Sequence, residues 1–132
     1  MDLIAHTVVE GASGWAQQIQ VRQHHLTADE PTSRGGTDTG PAPYALLMAS
    51  LGACTSITLR MYGDRKGWKL GTIKVDLKFG RDGEVEKAER VLRFSEPLDE
   101  TQRSKLLEIA MKTPVTKTLL RSFPIETSIA AM

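Results

Sequence analysis

One apolar stretch decides most of the fold: residues 43–67 read PYALLMASLGACTSITLRMYGDRKG. Leu47, Leu51 and Cys54 recur in it at helical spacing, and many of the intervening positions are apolar as well. A helix that is apolar on nearly all sides belongs in an interior. The proline at the start, the basic residues near the end and the final glycine predict a helix from about Pro43 to Gly67.

The segment before this helix is expected to form short strands and a loop. Leu3–Val9 and Ala16–Leu26 have the composition of strands, and the turn-like run Gly11–Gly14 separates them. Thr27–Pro43 is rich in Gly, Pro, Asp, Thr and Ser. Loops of that length are usually functional or disordered. This loop is therefore a candidate for part of a functional site.

A strand pair is predicted after the helix. Leu70–Phe79 alternates between apolar and polar residues, and Val85–Phe94 returns as its partner. The run Gly80–Gly83 between them has the composition of a hairpin turn. A last strand is predicted for Pro124–Ala130, near the end of the chain.

Two shorter helices are predicted between that hairpin and the last strand. Asp99 and Gln102 have the spacing of a capping box, which opens a helix to about Met111. Thr113 followed by Pro114 has the pattern of an N-cap and a first helical position. Because strands and helices segregate along the chain, the predicted fold class is α+β.

Length and composition narrow the classes of function. The 132 residues suit a single domain, residues 1–132, and the net charge of +1 predicts neither a nucleic acid nor a membrane as a partner. The single cysteine excludes an intrachain disulfide. The amino-terminal residues lack the pattern of a signal peptide, so a cytoplasmic location is expected.

The residues around Cys54 carry a resemblance to a known family. Gly40–Thr55 has a Gly-x-x-Pro entry, a run of small and apolar residues and then Ala-Cys, which resembles the centre of the OsmC/Ohr-like family. Three other stretches are similar to its branch of small OsmC-like proteins: Asp29–Pro31 with Gly35-Gly36, Leu59–Tyr62, and Arg65–Trp68. Pro114-Val115 followed by Leu119 resembles the second signature of the family. The resemblance implies an OsmC-like fold of antiparallel sheets, with two long central helices in an intertwined homodimer.

The resemblance also implies a reaction. Family members of the best-known type reduce organic hydroperoxides with a peroxidatic cysteine, a second cysteine that resolves it, and a dithiol reductant. An arginine and a glutamate hold the first thiolate. Cys54 matches the peroxidatic position, and Arg34 lies in the long loop at the spacing where members carry their arginine. Cys54 and Arg34 are therefore the predicted catalytic residues.

Each of these residues also has a structural interpretation. A lone cysteine in an apolar helix is often only a small core residue. The nucleophile must be a thiolate, and burial disfavours the charged form, so Cys54 needs a nearby cation. Arg34 can supply that charge or can be a solvated loop residue, and Arg22, on a predicted strand, is a weaker substitute.

The sequence departs from the family pattern at two places. Members of the peroxidase type carry a glutamate at the positions occupied here by Tyr44 and Ala45. Thr113 stands where the family's second cysteine is found, directly before Pro-Val. A threonine hydroxyl caps a helix well but cannot form a disulfide, so any sulfenic acid on Cys54 must be resolved by another thiol.

No cofactor or metal is predicted. His24 and His25 are adjacent on a predicted strand and point to opposite faces, so they cannot easily share a metal. Gly35-Gly36 lacks the spacing and the lysine of a phosphate-binding loop.

Two hypotheses of function remain. In the first, the chain is a one-cysteine peroxidase that reduces small organic hydroperoxides with an external thiol or dithiol. In the second, it is a non-redox dimer that has lost this chemistry and binds a small apolar ligand in a pocket at the interface. A purely structural interaction module is a weaker third interpretation, because only the expected dimer supports it.

Overall fold

The computed structural model describes all 132 residues and divides into two compact units, residues 1–49 and 50–132. Each unit is described by itself. Helix α1, Pro43–Lys66, begins in the first unit and continues into the second. Its bounds agree with the prediction from the apolar stretch.

The first unit contains a three-stranded antiparallel sheet. Its strands are β1 (Val8–Glu10), β2 (Gln17–Val21) and β3 (His24–Ala28), in the order β1-β2-β3. The prediction of one strand over Ala16–Leu26 is wrong, because the chain reverses at Arg22, whose φ is +51°. β1 is also shorter than predicted.

The long loop after β3 is organised around Asp29, which is 2% exposed. Its carboxylate accepts hydrogen bonds from the hydroxyls of Thr37 and Thr39, each at 2.7 Å, and from the backbone N–H groups of both residues. These bonds, the hydroxyl bonds above all, hold the pKa of Asp29 far below its ordinary value. The loop is thus built around one carboxylate, and it includes a short 3-10 helix, Thr32–Arg34.

The carboxyl end of α1 is a Schellman motif. The N–H of Trp68 donates to the carbonyl of Gly63 at 2.9 Å, and the N–H of Gly67 donates to the carbonyl of Asp64 at 3.2 Å. Gly67 has a φ of +70°, a conformation that glycine adopts without a steric penalty. The predicted helix stop at Gly67 is therefore confirmed.

The second unit contains a hairpin and two helices. β4 (Ile73–Asp82) and β5 (Val85–Phe94) pair antiparallel from Ile73↔Phe94 to Asp82↔Val85, so the turn lies later than predicted. The helices are α2 (Glu100–Ala110) and α3 (Pro114–Arg121). The capping box at the start of α2 is confirmed, because Asp99 and Gln102 each accept a hydrogen bond from the other's backbone N–H.

The core of this unit lies between α1, the hairpin and α2. Leu59, Leu70 and Leu106 are each at most 1% exposed. Six partly buried residues pack against them: Trp68, Ile73, Leu92, Phe94, Leu98 and Ile109. A Cβ added at Gly52 would lie 2.7 Å from Leu77 Cδ1, so the Leu77 side chain packs directly on this glycine where β4 approaches α1.

One prediction about this unit is wrong, and the interior position of α1 is met only in part within one chain. Pro124–Ala130 pairs with no strand, and Ile129 is fully exposed. α1 is not enclosed on all sides: Thr55 and Leu59 are fully buried, whereas Ile57 is 60% exposed and Met61 is 66% exposed. By length and hydropathy α1 meets the requirements of a membrane-spanning helix, and core helices of soluble proteins meet the same requirements.

The predicted α+β class is confirmed, with small antiparallel sheets and three α-helices. One chain contributes one long helix, α1. The second long helix and the intertwined homodimer remain predictions, as does the single domain.

Candidate functional site

Cys54 lies on α1, in the part of the helix that belongs to the second unit, and is half-buried. The next residue, Thr55, is fully buried, and its hydroxyl donates to the carbonyl of Leu51 at 2.7 Å. Cys54 therefore lies beside the buried face of α1 and keeps some access to solvent. A nucleophile must have such access to meet a substrate.

A guanidinium group is present on the inner face of the hairpin. Arg90 lies on β5 opposite Leu77, and the alternation of the strand puts Arg90 on the same face as Leu92 and Phe94, which pack against the core. Arg90 is half-buried. The strand thus places a cation where its pattern would otherwise place an apolar residue.

Uncharged groups hold the Arg90 guanidinium. Its Nη1 donates to Thr55 Oγ1 and to Thr116 Oγ1, each at 2.9 Å. Its Nη2 donates to the carbonyl of Ala110 at 3.0 Å and makes a weaker contact with Met111 Sδ at 3.5 Å. These acceptors come from α1, α3 and the end of α2, so the side chain joins three helices to the hairpin.

Arg90 forms no salt bridge with a carboxylate; the salt bridges of the chain involve other residues. Burial lowers the pKa of Arg90, and a negative charge on the Cys54 sulfur would oppose this shift. The bond from Arg90 to Thr55 fixes the guanidinium on the turn of α1 that carries Cys54.

Thr113 is fully buried at the N-cap of α3. The prediction that its hydroxyl caps the helix is wrong, since it lies 2.6 Å from Thr116 Oγ1 instead. The backbone carbonyl of Thr113 accepts the first helical bond, from the N–H of Lys117 at 3.0 Å. Thr113 is therefore connected to Arg90 through Thr116.

The other predicted residues lie in the first unit. Arg34 ends the short 3-10 helix and is exposed, and Tyr44 and Ala45 are exposed near the start of α1. Their part in the site stays a prediction. Arg22 does not lie on a strand as expected, because it occupies the turn between β2 and β3.

His24 and His25 are consecutive on β3 and both exposed. No cluster of three or more His, Cys, Asp or Glu side chains in the chain could hold a metal ion.

Sequence reasoning missed Arg90, although a signal was present. In β5 the alternate positions are Ala88, Arg90, Leu92 and Phe94, so a charged residue interrupts an apolar series. A buried charge needs several hydrogen bonds or an opposite charge. An arginine at such a position is therefore a candidate for a site.

Comparison with known proteins places these features in a family. The family described as OsmC-like protein matches residues 36–128 of the chain. Comparison with curated proteins found no match.

Among solved structures, the chain is similar to the OsmC-like protein of Mycoplasma pneumoniae, with 18% identity and a TM-score of 0.78, covering 92% of this chain and 90% of the other. It is also similar to the organic hydroperoxide resistance protein OhrB of Bacillus subtilis, with 19% identity and a TM-score of 0.62, covering 87% and 89%.

A third similar structure is the organic hydroperoxide resistance protein OsmC of Legionella pneumophila, with 14% identity and a TM-score of 0.65, covering 90% of each chain. Likeness at these identities shows the fold. The family match spans most of the chain and includes Cys54, Arg90 and Thr113. The chain therefore belongs to the OsmC-like protein family.

Proposed function

We propose that this protein is a thiol-dependent peroxidase with a single redox cysteine, and that it reduces small organic hydroperoxides. The observation that carries the proposal is the pair formed by Cys54 and Arg90. Arg90 forms no salt bridge, and it donates to the hydroxyl of Thr55, the residue directly after Cys54 in α1, at 2.9 Å. Such a cation stabilises the thiolate that attacks a peroxide. Two of the similar structures are described as organic hydroperoxide resistance proteins, which agrees with this reaction.

The reaction begins at the Cys54 sulfur. The thiolate attacks the terminal oxygen of the hydroperoxide, an S–O bond forms, and the O–O bond breaks. The sulfur loses two electrons and becomes a sulfenic acid, and the alkoxide that leaves takes a proton to become an alcohol. Arg90 stabilises the negative charge before and during this step. Arg34 is proposed as a second cation that orients the peroxide.

A thiol from outside the chain completes the cycle. The chain has no second cysteine, and the hydroxyl of Thr113 cannot form a disulfide. One external thiol condenses with the sulfenic acid to release water and form a mixed disulfide. A second thiol, or the second sulfur of a dithiol, then reduces that disulfide and restores Cys54. The reaction needs no metal or organic cofactor.

We also propose that the protein is a cytoplasmic homodimer. Ile57 and Met61, one turn apart on α1, are both more than half exposed in the single chain. Monomeric soluble proteins seldom leave large apolar patches in water. A second copy of the chain would cover these residues. Neither nucleic acid nor a membrane is proposed as a partner.

The test of the function is the consumption of cumene hydroperoxide by the purified protein. The assay is run with a monothiol and separately with a dithiol, beside the Cys54→Ser variant. Turnover that is lost in Cys54→Ser supports the proposal. The relative rates with the two reductants then show which class of thiol resolves the sulfenic acid. Turnover equal to that of Cys54→Ser with both reductants rejects it.

The alternative function is a non-redox dimer that binds a small apolar ligand. The fully buried Thr113 favours it, because this side chain completes a packed polar cluster where a peroxidase of the common type would keep a reactive thiol. The exposed apolar side of α1 would then form part of the binding pocket. Loss of activity in a Cys54→Ser variant of unchanged stability would exclude this alternative.

A further inference from the structure

Thr113 and Thr116 form a buried pair of hydroxyl groups at the start of α3. They are 0% and 5% exposed, and their oxygens lie 2.6 Å apart. Buried hydroxyls destabilise a fold unless they form hydrogen bonds. The cost of burying this pair is offset because Thr116 Oγ1 accepts a hydrogen bond from Arg90 Nη1 at 2.9 Å.

Either hydroxyl of the pair can donate to the other, and the remaining partners of Thr116 favour one direction. A hydroxyl has one donor and can accept two hydrogen bonds. Thr116 Oγ1 accepts from Arg90 Nη1, lies 3.3 Å from the carbonyl of Ala110, and is in contact with Thr113 Oγ1. When Thr116 donates to Ala110, Thr113 donates to Thr116. Thr113 therefore orients the Thr116 hydroxyl so that its oxygen faces the guanidinium.

The chemical type of these acceptors matters as much as their position. A carboxylate at the same place would fix Arg90 and also neutralise its charge. The hydroxyls of Thr55 and Thr116 and the carbonyl of Ala110 fix the guanidinium through three bonds and carry no net charge. The positive charge of Arg90 is therefore not neutralised by its acceptors, and the bond to Thr55 keeps it on the turn of α1 that carries Cys54.

We infer that Thr113 and Thr116 are positioning residues, which hold Arg90 on the turn of α1 that carries Cys54 and so set the reactivity of the Cys54 thiol. The inference rests on the proposed function, in which that thiol is the nucleophile. It assigns Thr113 a role of its own, distinct from that of an inert replacement for a cysteine. It also predicts that the hydroxyl group is the required part of both side chains.

The experiment measures the rate at which iodoacetamide alkylates Cys54 between pH 5 and pH 9, in the full chain. The variants are Thr116→Val, which has nearly the same shape without the hydroxyl, and Thr116→Ser, which restores it. Thr118→Val is the matched control, because Thr118 is exposed on the same helix. Hydrogen bonds to charged groups are among the stronger ones, so Thr116→Val is expected to slow alkylation at pH 7 about tenfold and to move the profile to higher pH.

Thr116→Ser is expected to restore the rate to within about threefold of the parent, because serine keeps a hydroxyl that can accept from Arg90. Thr113→Val tests the second hydroxyl without removing an acceptor of Arg90, and a smaller shift in the same direction is expected. Thr118→Val is expected to be alkylated at the parent rate. That result would show that loss of any hydroxyl from α3 does not by itself slow the alkylation of Cys54.

Folding of each variant is checked by circular dichroism, and Thr113→Val decides the question if Thr116→Val does not fold. A parent-like profile in folded Thr116→Val, or in folded Thr113→Val in its place, would overturn the inference. So would a Thr116→Ser variant as slow as Thr116→Val. The alkylation rate measures the reactivity of the Cys54 thiol and does not depend on peroxide turnover. A protein without peroxidase activity can therefore still show the effect of the hydroxyls. The inference and the proposed function can thus fail separately.

Discussion

At the scale of the residue, Cys54 can be identified from the sequence much more easily than Arg90. Cys54 is the one cysteine of the chain and lies in a stretch whose pattern matches a family. Arg90 is one of many basic residues, and its importance comes from three neighbours that are 20 to 35 positions away in sequence. Such contacts between distant residues cannot be inferred from local pattern, although the charge within an apolar series was visible.

The first prediction concerns the two arginines. Arg90→Met removes the cation that is bound to Thr55, the residue after Cys54, so oxidation of Cys54 by one equivalent of cumene hydroperoxide is expected to slow about tenfold or more. Arg34→Met removes only the proposed orienting group. It is expected to slow peroxide oxidation while leaving alkylation of Cys54 by iodoacetamide within about twofold of the parent. Stopped-flow measurement and mass spectrometry of Cys54 give both rates.

Arg90→Lys serves as the control for charge in that experiment, because lysine keeps the charge but loses the planar fork of donors. A rate for Arg90→Lys between those of the parent and Arg90→Met is expected. If Arg90→Met oxidised as fast as the parent while Arg34→Met was slow, the cation of the site would be Arg34, as the sequence first suggested.

At the scale of the element, the helices were easier to predict than the strands. The ends of α1 and α2 carry local signals, Gly67 and the Asp99–Gln102 capping box, and the structure confirms both. The reversal at Arg22 was missed because Arg-Gln has none of the residues that usually mark a tight hairpin turn. The predicted strand at Pro124–Ala130 fails for another reason: a strand needs a partner, and the single chain offers it none.

The second prediction concerns the loop around Asp29. The pKa of this carboxyl is lower in the folded protein than its ordinary value of 3.8, so its contribution to stability is present above that value and is lost as the pH falls below it. Asp29→Asn removes the charge at every pH, and a neutral amide cannot accept four strong hydrogen bonds. The loop is therefore expected to open in the variant.

Hydrogen exchange of the Thr37 and Thr39 amides at pH 6 measures this opening, because both amides donate to Asp29. Protection is expected to fall in Asp29→Asn. It should also fall in the parent below about pH 4, once the intrinsic exchange rate is taken into account. Asp38→Asn is the control, since Asp38 is exposed in the same loop. Equal protection in Asp29→Asn and the parent would show that other contacts hold the loop.

At the scale of the whole molecule, the α+β class follows from the order of the elements, but the outer surface of α1 does not follow from one chain alone. The sequence predicts a helix that is apolar on nearly all sides, and the structure buries one side of it. The difference is physical: a sequence pattern reports which residues avoid water, and not whether their neighbours come from the same chain. The exposed side is therefore where the proposed homodimer can be tested.

The last prediction is that Ile57→Glu dissociates this homodimer. Ile57 is 60% exposed in the single chain and would lie against a second copy, where an unpaired carboxylate is costly. Sedimentation equilibrium is expected to give twice the chain mass of 14.5 kDa for the parent and the single chain mass for Ile57→Glu. Val85→Glu is the control, because Val85 is 68% exposed at the tip of the hairpin, and it should remain dimeric. A parent of 14.5 kDa, or a dimeric Ile57→Glu, would mean that the exposed side of α1 does not join two chains. Peroxide turnover of the dissociated variant then shows whether Cys54 and Arg90 suffice within one chain or whether the second copy completes the site.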